Sequence, residues 1–177
     1  DLNGYTLTSK DKGDSTNAMA IYVNNGVEFT LADSSAEGTG KVVSTCYGVY
    51  VKQGATFNMT GGTLEMPGNA VYDLGVVTWN ADFNMTGGTI DARIGVYACD
   101  YYDADASNIV IDGGTVLVSG VDKDDPSVVV YNDPAYDKGA SISVKSGSFN
   151  ELGSVFAYAA DDAVITVADD VVLEETL

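Results

Sequence analysis

Apolar and polar residues alternate along most of this chain, in short bursts that glycine cuts off. Phe57-x-Met59, Phe83-x-Met85, Ile109-x-Ile111, Ile142-x-Val144 and Ile165-x-Val167 all place apolar side chains at period two. That period marks a strand with one buried face. Thr60-Gly61-Gly62-Thr63 and Thr86-Gly87-Gly88-Thr89 follow two of these strands. Adjacent glycines permit positive φ, so a corner is expected there. A second short strand follows through Thr63-Leu64-Glu65-Met66 and its equivalents. A third is predicted at Ala20-Ile21-Tyr22-Val23, Gly48-Val49-Tyr50-Val51, Ala70-Val71-Tyr72, Gly95-Val96-Tyr97-Ala98 and Ser154-Val155-Phe156-Ala157. No long window shows helical spacing of its apolar residues.

One phrase returns almost verbatim. Phe57-Asn58-Met59-Thr60-Gly61-Gly62-Thr63-Leu64 comes back 26 residues later as Phe83-Asn84-Met85-Thr86-Gly87-Gly88-Thr89-Ile90. Weaker copies begin at Ile109 and Ile142, and the faintest at Phe29 and Ile165, giving intervals of 28, 26, 26, 33 and 23 residues. A unit of that size cannot bury its own apolar face, but stacked units can. The pattern therefore predicts an all-β, right-handed parallel β-helix of about six coils, with three short strands in each. A sandwich gives no reason for the recurrence, and a propeller blade needs about 40 residues.

The 177 residues read as one elongated domain, 1–177, of a monomer. Asp1 opens directly on strand-like sequence, which predicts an excised segment of a longer surface protein. With 26 acidic residues against eight basic ones and a net charge of −18, nucleic acid and anionic membranes are poor partners. No apolar run is long enough for a membrane-spanning helix, so no membrane insertion is expected. Cys46 and Cys99 fall two coils apart at different places in their coils, which predicts two buried, unpaired thiols.

The Asn3-Gly4-x-Thr6-Leu7 opening, the Phe-x-Met-Thr-Gly-Gly-Thr corner and the Gly-Val-Tyr strand resemble the pectate-lyase-like β-helix repeats of large bacterial cell-surface adhesins. Such proteins are common in Gram-positive gut anaerobes. The resemblance implies an extracellular protein, secreted or anchored in the cell wall. It further implies a non-enzymatic spacer with a binding face for a host or bacterial glycan or a surface protein. The alternative it carries is a carbohydrate-active enzyme, a calcium-dependent polysaccharide lyase with an arginine base.

Candidate chemistry is sparse. The chain has no histidine, which removes Ser–His and Cys–His nucleophiles and histidine-ligated zinc. Arg93, the one arginine, sits at a corner and reads as a charge-paired surface residue. No cofactor is implied, with calcium as the one candidate ion. Its candidate ligands are Asp122, Asp124, Asp125 and Asp133, in a stretch from Gly120 to Tyr136 that reads as a loop leaving the longest interval, and Asp137 just beyond its end. The candidate ligand-binding residues are Tyr22, Tyr50, Tyr72 and Tyr97, expected at one position in successive coils. With the flanking valines inward, those tyrosines face outward as a ladder.

Overall fold

In the computed structural model, which describes residues 1–9, 19–67, 73–100, 105–118, 128–133, 139–150, 163–169 and 171–173, every regular element is a strand. In chain order these are β1 (Thr6–Thr8), β2 (Met19–Val23), β3 (Glu28–Leu31), β4 (Lys41–Val43), β5 (Tyr47–Val51) and β6 (Thr56–Met59). Then come β7 (Thr63–Glu65), β8 (Leu74–Trp79), β9 (Asp82–Met85), β10 (Thr89–Ala92) and β11 (Ile94–Cys99). The last are β12 (Asn108–Val118), β13 (Val128–Asn132), β14 (Ser141–Phe149), β15 (Val164–Val167) and β16 (Val172–Leu173).

These strands form two parallel sheets, one of 11 strands and one of five in the order β13-β11-β8-β5-β2. This corrects the expected β-helix with three short strands per coil. The reason lies at the glycine pairs. In β12 the chain runs unbroken through Gly113 (φ 132°) and Gly114 (φ 80°), shifting register instead of ending the strand. The glycines bend the strand as a bulge does. One half of β12 pairs with β9 and the other with β10, so two expected columns become one curled sheet.

Register is set by the period-two pattern, since a slip of one residue would turn each apolar row outward. Phe29, Phe57, Phe83, Ile109 and Ile142 are register partners across β3, β6, β9, β12 and β14. Phe57 and Phe83 stack with ring centroids 5.4 Å apart, and Met59 and Met85 lie beside them, all fully buried. A second inward row runs Val42, Leu64, Ile90, Val116 and Phe149, and the five-stranded sheet adds Val49, Val76, Val96 and Val130. These rows make the main core between the two sheets. On the outward side Asn84 Nδ2 donates to Asn58 Oδ1 at 3.0 Å, and Asn58 Nδ2 to Glu28 Oε1 at 3.0 Å. The recurring asparagine thus ties neighbouring strands together.

The two sheets meet with no space to spare. A methyl on Gly75 would lie 2.4 Å from Ile90 Cγ2 and 2.7 Å from the Gly95 carbonyl oxygen. Gly48 and Gly95 stand beside it in the same way against Met66 and Val116. At the amino-terminal corner, Asp33 accepts from the Gly4, Ser35 and Gly40 amides and from Ser35 Oγ. Burial alone would raise its carboxyl, but these donors outweigh it and hold the group below the ordinary carboxylate value. The stabilisation is therefore present above that ordinary value and lost as pH falls through the lowered one.

Phe83→Ala should cost about 3–5 kcal/mol in chemical denaturation, the range for truncating a fully packed aromatic. Gly88 (φ 87°) faces the Gly62 carbonyl, which an added Cβ would approach to 2.7 Å. Gly88→Val should therefore destabilise the fold strongly, since a β-branched residue is excluded from that backbone region. A variant as stable as the parent would contradict the positive φ and close carbonyl contact at this corner.

Candidate functional site

The outward face of the five-stranded sheet gathers the aromatics. Alternation turns Val49 and Val96 into the core, so Tyr50 and Tyr97 between apolar neighbours must point away from it. Tyr22 is the register partner of Tyr50, and their rings stack 5.8 Å apart at an interplanar angle of 3°. Across β8 the partner of Tyr50 is Val77, not Tyr72, and the row continues to Tyr97 and Tyr131. Tyr72 lies outside the described residues. The expected ladder is therefore two groups, Tyr22 with Tyr50 and Tyr97 with Tyr131, parted by a buried valine.

Trp79 was not expected at this face. It ends β8 with its ring 6.3 Å from Tyr50, and Tyr47 tilts onto Tyr50 at 6.0 Å. Lys52 follows β5 directly, and its amide donates to the Val23 carbonyl, which fixes the base of the side chain. Its Nζ lies 4.8 Å from the Trp79 ring centroid and 5.6 Å from that of Tyr50, within cation–π reach. Leu74, Val77, Ile94 and Cys99 are buried beneath the rings as a second, smaller apolar cluster. Tyr22 is half exposed, and Tyr50, Trp79 and Lys52 are partly so.

Tyr97 donates its hydroxyl to Asp133. Burial, that bond and nearby negative charge push the phenol well above its ordinary value. Cys99 is a free, buried thiol, and burial followed by the charges of Asp133 and Asp100 raises it as well. Cys46 is likewise buried and in no disulfide, so both thiols stand as the sequence predicts. Below this face, Asp100 is buried and accepts from the Asn80 amide, the Ser107 amide and Ser107 Oγ. Asn132 Oδ1 accepts from the Ala140 amide in the same way. These bonds anchor both ends of the 100–107 and 132–140 connections at one corner.

Other expected sites are redrawn. Arg93 is buried between β10 and β11, 6% exposed, and is not a surface residue. The stretch from Gly120 to Tyr136 is not one loop: β13 lies inside it and pairs with β11. Of the candidate calcium ligands, Asp122, Asp124, Asp125 and Asp137 lie outside the described residues, and Asp133 is engaged by Tyr97. Among the described residues no group of three or more ligating side chains could hold a metal ion. Glu65 and Asp91 are register partners on the outer face of the larger sheet, with Lys41 2.8 Å from Glu65. Burial and the charge of Glu65 hold the Asp91 carboxyl above its ordinary value. Among the described residues no helix is long and apolar enough to cross a membrane. Comparison with family models, curated proteins and solved structures found no match.

Tyr97 and Cys99 hold their protons more tightly folded than unfolded. Their contribution to stability is complete below the ordinary values of 9.0 for the thiol and 10.0 for the phenol, and declines as pH rises beyond them. In a Cys46→Ala background, Cys99 should stay unreactive to a thiol reagent at alkaline pH until the protein unfolds. Rapid labelling of the folded chain would contradict the placement of this residue.

Proposed function

We propose that this chain is a non-enzymatic segment of a bacterial surface adhesin, extracellular or wall-anchored. It acts as a stiff spacer and presents the outer face of its five-stranded sheet to a glycan. The observation that carries this reading is the pair of rings, Tyr50 and Trp79, under the Lys52 ammonium, with Tyr22 stacked on Tyr50 beside them. Aromatic side chains offer large contact area at low entropic cost together with a polar edge. Here their rings are held by stacking and by the strands beneath, so little order remains to be imposed when a ligand arrives. Lys52 adds a donor on a chain that is otherwise strongly acidic, which suits a hydroxyl-rich partner. The lyase alternative draws less support, because the arginine it would use as a base is buried.

A glycan array probed with the whole chain should give hits that weaken on Tyr50→Ala or Trp79→Ala. Either truncation should reduce affinity by about tenfold or more, as for aromatic residues at the centre of a contact. Circular dichroism of the same variants should remain that of the parent. A double variant that keeps its fold and its full binding would move the site away from this face.

A further inference from the structure

Two Asn-Gly pairs stand in tight turns of this chain, and their surroundings differ in one decisive respect. At Asn3-Gly4 the glycine amide donates to the Asp33 carboxylate at 2.8 Å. At Asn25-Gly26 the turn is closed by Val27 donating to the Asn24 carbonyl at 3.1 Å, and the Gly26 amide reaches only the Gln53 carbonyl, at 3.3 Å. Asn25 and Gly26 are both exposed.

We propose that Asn25 is a site of spontaneous conversion to isoaspartate and aspartate, and that Asn3 is protected from the same chemistry by Asp33. The reaction needs only water and base. Base removes the Gly26 N–H proton, and the nitrogen attacks Asn25 Cγ. The bond from Cγ to the side-chain nitrogen breaks, and ammonia leaves. The five-membered succinimide that remains is opened by water at either carbonyl. The net change is one water consumed and one ammonia released. Glycine after the asparagine leaves the attacking nitrogen unshielded by any side chain, and the long bond to a neutral carbonyl holds its proton weakly. At Gly4 the departing proton is shared with a carboxylate, a stronger, charge-assisted bond that opposes formation of a neighbouring anion.

The next corner supplies a comparison within the same molecule. Gln53-Gly54 lies beside Asn25-Gly26 with the same turn, Ala55 donating to the Lys52 carbonyl at 2.9 Å and both glycines at φ 68°. Glutamine would have to close a six-membered ring, and the Gly54 amide is held at 2.9 Å by the Asn80 carbonyl. This position should therefore stay intact. Conversion at Asn25 would add a negative charge three residues before Glu28. In the isoaspartate product it would also insert a methylene into the backbone between β2 and β3. The Val27-to-Asn24 bond could not survive that insertion unchanged.

The test is peptide mapping by mass spectrometry of the folded whole chain, aged in mildly alkaline buffer, with isoaspartate quantified at each site. Residue 25 should convert about tenfold or more faster than residue 3, the factor that one charge-assisted hydrogen bond would impose. In the urea-denatured chain the two sites should convert at similar rates, and in folded Asp33→Asn the rate at Asn3 should rise. Conversion at Asn3 as fast as at Asn25 in the folded chain would overturn the proposal. So would an unmodified Asn25 in the folded chain under conditions that convert it in the denatured one.

Discussion

Parallel strands stay in register only when each inward side chain meets a companion of its own kind one strand away, and this constraint governs the whole molecule. Phe57 lies on Phe83, Met59 on Met85 and Leu64 on Ile90, so a slip of one residue would expose each row and bury polar ones. The glycines at 48, 75 and 95 add a second constraint. They let the five-stranded sheet descend onto Met66, Ile90 and Val116, closing the core from the other side. Large interior residues on one sheet, with valines and three glycines on the other, make a single dense interior.

The outward face follows from the same constraint. Once Val49 and Val96 are committed inward, the residues beside them must face out, and their spacing is that of the strands. Stacked rings are therefore a consequence of register, and the Lys52 ammonium sits where β5 delivers it, over the rings of its own and the next strand. Buried carboxylate and amide groups at the adjoining corner, Asp100 and Asn132, keep the chain fixed where it leaves this sheet.

Much of this was legible in the residues. Period-two alternation located the inward rows of the larger sheet, and the glycine pairs located its bends, with Gly62 at φ 80° and Gly88 at φ 87°. What alternation cannot tell is whether a glycine corner ends a strand or only bends it. The two outcomes share the same residues and differ in the pairing of neighbours, and here β12 and β14 run straight through. The assignment of Tyr72 to the tyrosine row followed residue identity. Gly75-Val76 was the better signal, because it shares with Gly48-Val49 and Gly95-Val96 the small residue that the sheet contact requires. Trp79 was missed for the same reason, since β8 was placed too early in the chain. Arg93 reads as a surface residue from its place at a corner, whereas the structure buries it between β10 and β11.

Cysteine cross-linking across two neighbouring strands tests the register most directly. Asn58 and Asn84 face outward as register partners with their side chains 3.0 Å apart, and Val110 is the next residue in that row. In a Cys46→Ala, Cys99→Ala background, oxidation of Asn58→Cys with Asn84→Cys should give a near-complete intramolecular disulfide. Adjacent strands lie about 4.8 Å apart, which suits the bond, whereas one strand further exceeds the usual Cα limit of about 7 Å. Asn58→Cys with Val110→Cys should accordingly stay reduced. Failure of the first pair, or equal oxidation of both, would contradict the register on which the account rests.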